Sequence, residues 1–216
     1  VAKLDKHKAM IRYTDELVGR LVASIDELGI RDRTIIIFTT DNGTSGGLRG
    51  TINGVKPSGG KASKFEGGVS EPFIVNCPGA VAPGETDALT DFSDLLPTFA
   101  ELGGAELPEG LELDGVSIAP LLLGESETTP REWILSMGHG AATFSEEKGI
   151  HGVAPFVSRV LRDERWKVWV NQEGEIDELY EMKSDPMEQA NLLKIRKALP
   201  EEATVALAKF NDVVAA

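Results

Sequence analysis

Hydrophobic positions near the start of the chain recur at three- and four-residue spacing and predict a helix over residues 8–28. Gly29 follows this helix as a C-terminal stop. A continuous run of β-branched residues at 34–40 then predicts a central strand buried on both faces. A helix followed closely by such a strand is typical of an α/β fold. One stripe of the helix carries its apolar side chains: Ile11, Val18, Leu21, Val22, Ile25 and Leu28.

The pattern changes after this strand. Residues 43–60 contain seven glycines and few large apolar side chains, which predicts a long surface loop. A second apolar run at 72–77 predicts another strand, and residues 93–102 a short helix. Residues 124–130 have the composition of a linker. Beyond them the periodicity predicts short antiparallel strands at 133–137, 156–162, 166–171 and 178–181.

The last part of the chain carries two helix signals. Asp185-Pro186-Met187-Glu188 has an acidic cap, a proline at the first helical position and a glutamate three residues after the cap. We expect a helix to begin there. A terminal helix that packs on the small sheet is predicted by its apolar positions: Leu199, Val205, Leu207, Phe210 and Val213.

Composition excludes several classes of protein. The chain has 216 residues, of which 41% are hydrophobic and 26% charged, as in a folded domain with a core. Its formal net charge of -13 argues against a nucleic-acid partner, because phosphate binding requires clustered Lys and Arg. No apolar run approaches the roughly 20 residues of a membrane span. Cys77 is the single cysteine, so an internal disulfide is excluded.

The first candidate for chemistry is Asp41-Asn42-Gly43, at the end of the predicted buried strand. Ligands of open α/β sheets bind beyond the carboxyl ends of the strands, and a carboxylate with a carboxamide offers oxygen ligands for Ca²⁺ or Mg²⁺. A simple turn explains the same triplet. The spacing fits neither an EF-hand, whose third position would be Gly43, nor a phosphate-binding P-loop around Gly60-Lys61.

The order of several motifs is more specific than any one of them. Asp41-Asn42-Gly43 is followed by Gly60-Lys61, then by Phe65-Glu66-Gly67-Gly68, and then by a strand that ends in Cys77-Pro78-Gly79. This order resembles the sulfatase family of the alkaline-phosphatase-like superfamily. Downstream segments continue the resemblance over roughly residues 8 to 195: Asp94-Leu95-Leu96-Pro97-Thr98, Asp114-Gly115-Val116-Ser117, Leu179-Tyr180, Asp185-Pro186 with Glu188, and Asn191-Leu192.

The resemblance implies a fold and a set of site residues. Residues 1–124 would be the C-terminal part of an α/β/α sandwich, and residues 125–216 a small α+β domain with an antiparallel sheet and a terminal helix. Asp41 and Asn42 would be metal ligands, with Ca²⁺ favoured over Mg²⁺, and Lys61 would contact the sulfate group of a sulfate ester. His139, and also His151, lie where family members vary their substrate contacts.

Neighbouring charged residues are expected to have other roles. Lys56 and Lys64 are interpreted as solvated loop lysines, and Glu66 as a structural group that binds loop amides. The three tryptophans are interpreted mainly as core residues of the small sheet: Trp133, Trp166 and Trp169.

The family's nucleophile is a formylglycine made within Cys/Ser-x-Pro-x-Arg, and the 216 residues contain no such motif. Cys77 lies in Cys-Pro-Gly-Ala-Val and is interpreted as a buried strand residue. Ser70-Glu71 also departs from the Arg-Val of many members. We therefore expect the isolated chain to be inactive, with the formylglycine and further metal ligands upstream of residue 1.

Several alternatives stay open. The chain could belong to a phosphate or phosphonate ester hydrolase of the same superfamily, to a non-catalytic chain that binds anions or a partner, or to a structural module without a metal. Self-association through apolar surface is a further expectation. The compartment stays open, although a periplasmic or secreted location is expected for a full-length member.

Overall fold

The computed structural model describes residues 2–45, 48, 50–138, 143–147, 149–151 and 158–215. The chain divides into two compact units. The first unit contains the residues up to Asp41, Ser45–Arg49 and Glu71–Pro130; the second contains Asn42–Thr44, Gly50–Ser70 and Arg131–Ala216. The proposed domain boundary between residues 124 and 125 stays a prediction.

The first unit begins with helix α1, Lys3–Glu27, which confirms the helix predicted from the apolar spacing. Strand β1, Ile36–Thr39, pairs antiparallel with β2, Phe73–Asn76. All four residues of β1 are partly exposed, so the expected burial on both faces is not observed. Within the described residues β1 and β2 form a two-stranded sheet, and no further strand pairs with either of them. Cys77 is 1% exposed, as predicted.

The first unit also contains helices α3, Leu95–Leu102, and α4, Ala119–Leu122. Asp94 is fully buried before α3, and its Oδ2 and Oδ1 accept hydrogen bonds of 2.8 Å from the backbone amides of Asp91 and Val116. Thr98 Oγ1 donates to the Asp94 carbonyl oxygen at 2.6 Å and accepts from the Ile118 amide at 3.0 Å. The motif that begins at Asp94 therefore holds residues 116–118 in place.

The second unit is built on an antiparallel sheet in the order β3-β6-β7-β8. A short helix α2, Glu66–Val69, precedes it, and a hairpin of β4 and β5 is inserted after β3. The predicted small sheet and terminal helix are confirmed. The other elements of this unit are β3 (Ile134–Gly138), β4 (Thr143–Ser145), β5 (Gly149–His151), β6 (Ser158–Arg162), β7 (Trp166–Val170), β8 (Ile176–Glu181), α5 (Leu192–Ile195) and α6 (Glu201–Ala215).

Helix α6 covers one face of this sheet, and together they form the core of the second unit. Phe210 and Ala203 of α6 and Val168 of β7 are completely buried. Burial of such apolar side chains contributes roughly 1.5–3 kcal/mol for each large one. Trp133 packs partly buried against this core, and Trp166 is a member of it. No helix in the described part of the chain combines the length and the apolar character that crossing a membrane requires.

The prediction that a helix begins at Asp185 is wrong. The Asp185 carboxylate instead closes a turn, because its two oxygens accept hydrogen bonds from the amides of Gln189 and Ala190 at 2.9 and 2.8 Å. Glu188 has a left-handed backbone with φ of 53°, which a helix does not permit. The helix begins later, at α5, where the Asn191 side chain accepts from the Leu193 amide at 3.0 Å.

Candidate functional site

Asp41 lies two residues beyond the end of β1, in the position predicted for a metal ligand. This residue is exposed, so its carboxylate is accessible to a cation. Asn42 is partly buried and begins the segment 42–44 of the second unit. A carboxylate and a carboxamide are suitable oxygen ligands for a hard cation, although Ca²⁺ takes six to eight of them. These two residues would therefore supply part of a coordination shell.

Segment 42–44 contacts both of the motifs that follow it. The amides of Gly43 and Thr44 donate to the carbonyl oxygens of Gly68 and Gly67, each at 3.0 Å. The Lys61 amide donates in turn to the Thr44 carbonyl oxygen at 2.8 Å. The backbone therefore brings together the segments that carry Asn42, Lys61 and the Glu-Gly-Gly turn, which lie far apart in the sequence.

Three glycines permit this close packing. A Cβ atom on Gly43 would lie 2.1 Å from the Gly67 carbonyl oxygen, and one on Gly67 would lie 2.5 Å from the Ser58 carbonyl oxygen. A Cβ atom on Gly68 would lie 2.3 Å from the Ser63 carbonyl oxygen. Contacts under 3.0 Å with backbone atoms cannot be relieved by a rotamer change. The glycines are therefore required by the distance between backbones rather than by flexibility.

Lys61 lies at the exposed end of this arrangement. Its side chain is exposed, and the next residue, Ala62, has a left-handed backbone with φ of 69°. The turn is tied by the Ser63 side chain, which accepts from the Gly60 amide at 3.0 Å. An exposed ammonium on a hydrogen-bonded turn is suited to binding an anion such as a sulfate group, since an anion can reach it without a rearrangement of the core.

A buried ionic network lies next to the turn that carries Lys61. The Lys167 side chain is 1% exposed, and its Nζ lies 2.9 Å from Oε1 of Glu66 and 2.9 Å from Oε1 of Glu188. The second contact is an ion pair without hydrogen-bond geometry. Glu66 Oε2 accepts from Arg162 at 2.7 Å. Two carboxylates and two cations balance one another here.

Glu66 thus has the structural role that we expected, with different partners. Its side chain binds Lys167 and Arg162 instead of loop amides. The loop amide is bound by Glu188, whose Oε2 accepts from the Glu66 amide at 2.6 Å. Burial raises the pKa of the Glu188 carboxyl above its ordinary value, although Lys167 opposes this shift.

Lys64 is not the solvated loop lysine that we predicted. Its ammonium lies 4.9 Å from the centroid of the Trp169 ring, a cation–π contact. Phe65 packs against the same ring with centroids 4.5 Å apart. Burial lowers the pKa of the Lys64 ammonium. Trp169 is accordingly a partner of this loop rather than a residue of the apolar core.

Other predicted site residues are not placed by the structure. His139 lies outside the described residues. His151 belongs to β5, but its side chain lies outside what the structure describes. Among the described residues, no group of three His, Cys, Asp or Glu side chains is arranged to hold a metal ion.

Sequence reasoning missed Lys167 and Arg162, and it named Glu188 only as a motif and helix-start residue. A signal for Lys167 was present, because a lysine between Trp166 and Val168 interrupts an otherwise apolar strand. Lysine is almost never fully buried unless it is paired. The sequence could not show that its partners are about a hundred residues upstream and twenty residues downstream.

Two family sequence profiles match the chain. The profile described as Sulfatase matches residues 2–105. The profile described as N-sulphoglucosamine sulphohydrolase, C-terminal, matches residues 60–209, which is more than half of the chain. The two matches overlap across the segment that contains Lys61 and Glu66.

Curated relatives give the same picture. Human arylsulfatase A is 45% identical over 120 residues, which cover 55% of this chain and 23% of the relative. Choline-sulfatase of Rhizobium meliloti is 32% identical over 209 residues, which cover 96% of this chain and 36% of the relative. The chain therefore spans less than two fifths of the length of these relatives.

Solved structures share the fold. A 2-O GAG sulfatase, BT1596, superimposes with a TM-score of 0.60 and 26% identity, covering 85% of this chain and 36% of that one. BT4656, solved with its substrate D-glucosamine-2-N,6-O-disulfate, gives a TM-score of 0.65 and 24% identity over 95% of this chain and 39% of that one. At that identity the second likeness shows the fold alone.

Proposed function

Because the chain belongs to the sulfatase family of hydrolases, we propose that it forms part of an enzyme that hydrolyses sulfate esters. The observation that supports this proposal most strongly is the set of backbone hydrogen bonds that joins segment 42–44 to Lys61 and to Gly67 and Gly68. These bonds assemble the motifs on which the family resemblance rests. The likeness to relatives over a part of their length leaves the substrate of the whole protein open.

The proposed roles follow from charge. The non-bridging oxygens of a sulfate ester carry negative charge, and further charge develops on the leaving oxygen as the S–O bond breaks. The exposed Lys61 ammonium would bind the sulfate oxygens. Asp41 and Asn42 would ligate Ca²⁺, which is favoured over Mg²⁺ because it accepts more oxygen ligands in flexible geometries. A bound divalent cation would supply further stabilisation of negative charge.

The chain itself does not supply a nucleophile in this proposal. Cys77 is buried, and its Sγ lies 3.4 Å from the Asp32 carbonyl oxygen, so it is not available to attack an ester. The formylglycine of the family would provide the nucleophile in the complete enzyme. The isolated chain is therefore expected to be inactive. His139 stays a candidate for a substrate contact.

The other candidate functions have less support. A phosphonate monoester hydrolase from Silicibacter pomeroyi shares the fold with a TM-score of 0.63, but at 23% identity it says nothing about substrate. A chain that only binds anions would keep the role of Lys61 without catalysis. A purely structural module would bind no metal.

Calorimetric titration with CaCl₂, and with inorganic sulfate in its presence, tests the proposal on the chain itself. Asp41→Ala is expected to weaken calcium binding about tenfold or more, since it removes a charged ligand. Asp87→Ala, which removes an exposed carboxylate elsewhere, is its matched control and should leave binding unchanged.

Lys61→Met is expected to weaken sulfate binding by a similar factor of about ten. Lys56→Met removes the same charge five residues earlier in the chain, at an exposed position, and should have little effect. An equal loss of sulfate affinity in the two lysine variants would show that Lys61 contributes only positive charge and not a specific contact. Tighter binding of phosphate or methylphosphonate than of sulfate would favour the alternative substrates. Hydrolysis of an aryl sulfate by the pure chain, lost in Lys61→Met, would overturn the expected inactivity.

A further inference from the structure

The loop that carries Lys61 is held in place by hydrogen bonds with residues that are distant in the sequence. We call residues 58–66 the lysine loop. Lys167 Nζ on strand β7 donates a hydrogen bond of 2.7 Å to the Lys64 carbonyl oxygen. From the turn before α5, Glu188 accepts from the Glu66 amide at 2.6 Å.

A third contact holds the start of the same loop. Gln189 Nε2, on the turn before α5, donates to the Ser58 hydroxyl at 2.8 Å. The lysine loop is therefore tied at residues 58, 64 and 66, on both sides of Lys61. The Lys61 side chain is exposed, and its backbone amide is held by the Thr44 carbonyl oxygen. The position of its ammonium consequently depends on the backbone of the loop.

Lys167 and Glu188 are buried and linked to one another. Their side chains are 1% and 0% exposed, and their charged atoms lie 2.9 Å apart. A buried ion pair is costly to desolvate and need not add to overall stability, but removal of one partner leaves the other charge uncompensated. Glu188 also keeps a left-handed backbone, which costs a non-glycine residue free energy. The pair therefore favours the one arrangement of the lysine loop in which both buried charges keep their partners.

We infer that Lys167 and Glu188 are positioning residues for Lys61: the hydrogen bonds between these two buried side chains and the backbone at residues 64 and 66 fix the lysine loop and so set where the Lys61 ammonium meets its anion. This inference rests on the proposed function, in which Lys61 binds a sulfate group. It gives the C-terminal sheet and the turn at 185–190 an indirect role in substrate binding, through the position of Lys61.

Hydrogen–deuterium exchange of the whole chain, read by mass spectrometry, tests the inference. Lys167→Met and Glu188→Ala are expected to accelerate exchange in peptides covering 58–68 about tenfold or more, because each removes a hydrogen bond between a buried side chain and the backbone of the lysine loop. Glu188→Gln retains an oxygen that can accept from the Glu66 amide, so it should restore most of the protection. Peptides of α6 should exchange at the wild-type rate, which separates local opening from unfolding.

Lys209→Met serves as the matched control. It breaks another lysine–carboxylate pair of the second unit, 2.9 Å from Asp163, whose partners lie outside the lysine loop. Unchanged exchange at 58–68 in both Lys167→Met and Glu188→Ala would overturn the inference. Exchange that is accelerated equally in peptides 58–68 and in peptides of α6, in every variant including Glu188→Gln, would also overturn the inference.

Calorimetry with inorganic sulfate and CaCl₂ supplies the second measurement. Glu188→Ala should weaken sulfate binding about tenfold, and Glu188→Gln should recover it. Faster loop exchange with unchanged sulfate affinity would overturn the positioning of Lys61. If the wild-type chain binds no sulfate at all, the proposed function fails, and the exchange rates alone decide whether the two residues hold the loop.

Discussion

Gly43 and Gly67 approach so closely that no side chain can stand between them: a Cβ atom on Gly43 would lie 2.1 Å from the Gly67 carbonyl oxygen. The amide next to this contact, that of Thr44, donates to the same oxygen at 3.0 Å. The glycine after Asp41-Asn42 is thus required by the Glu-Gly-Gly turn, and the two family motifs depend on each other.

Gly43→Ala is therefore expected to destabilise the chain by about 1–3 kcal/mol, the usual range for overpacking. Chemical denaturation followed by circular dichroism measures this change. Gly50→Ala is the control, because a Cβ atom there meets nothing within 4 Å. Equal stability of the two variants would show that segment 42–44 can move away from the turn without loss.

Asp94→Ala is expected to lower the free energy of unfolding by about 2–4 kcal/mol. The Asp94 carboxylate is fully buried and satisfies the backbone amides of Asp91 and Val116, which the substitution would leave without an acceptor. The same denaturation experiment applies, with the exposed Asp87→Ala as control. A loss of less than about 0.5 kcal/mol, the range of an ordinary surface change, would contradict the assigned role.

Local sequence patterns predicted most of the secondary structure, because period and propensity act over a few residues. The helix expected over 8–28 is observed as Lys3–Glu27, and the strand expected over 166–171 as Trp166–Val170. The apolar stripe of α1 was also recognised. The pattern could not show that the stripe is left at least partly exposed, since burial depends on residues distant in sequence.

The turn at Asp185 shows where local reasoning fails. Asp-Pro-x-Glu is a good helix start, yet the carboxylate of Glu188 is bound by the Glu66 amide, 122 residues away. That contact and the ion pair with Lys167 stabilise a left-handed backbone at Glu188 that no local pattern predicts. For the site, the order of motifs predicts Asp41, Asn42 and Lys61, whereas the residues that hold the lysine loop became visible only through tertiary contacts.

The pH dependence of stability should differ in sign between two glutamates of the second unit. Burial raises the pKa of Glu188 above the ordinary value of 4.5. Its contribution to stability is then fully present below pH 4.5 and is lost as the pH rises through the raised pKa. The stability of the wild-type chain relative to Glu188→Gln should therefore be greater at pH 4 than at pH 7.

Glu181 is the matched control for this experiment. Burial raises its pKa, but hydrogen bonds from Ser184 and Arg165 outweigh that effect and leave the pKa below 4.5. Its contribution is present above pH 4.5 and is lost as the pH falls through the lowered pKa. The stability of the wild-type chain relative to Glu181→Gln should therefore be greater at pH 7 than at pH 4. Urea denaturation at both pH values measures the two slopes, and slopes of the same sign would contradict the assignment.

Helix α1 leads to a last prediction, that copies of this chain associate through its apolar stripe. Every residue of α1 is at least partly exposed, and Ile11 and Leu21 are 55% and 54% exposed. Apolar surface of this extent favours burial against another surface. Sedimentation velocity at increasing chain concentration is expected to show a shift to larger species, and Ile11→Glu combined with Leu21→Glu should abolish it.

Arg20→Glu changes charge about two and a half turns from Ile11, on the opposite side of the helix, and should leave the shift unchanged. A single monomeric species at every concentration would count against association, and an equal effect of Arg20→Glu would assign it to charge rather than to the stripe.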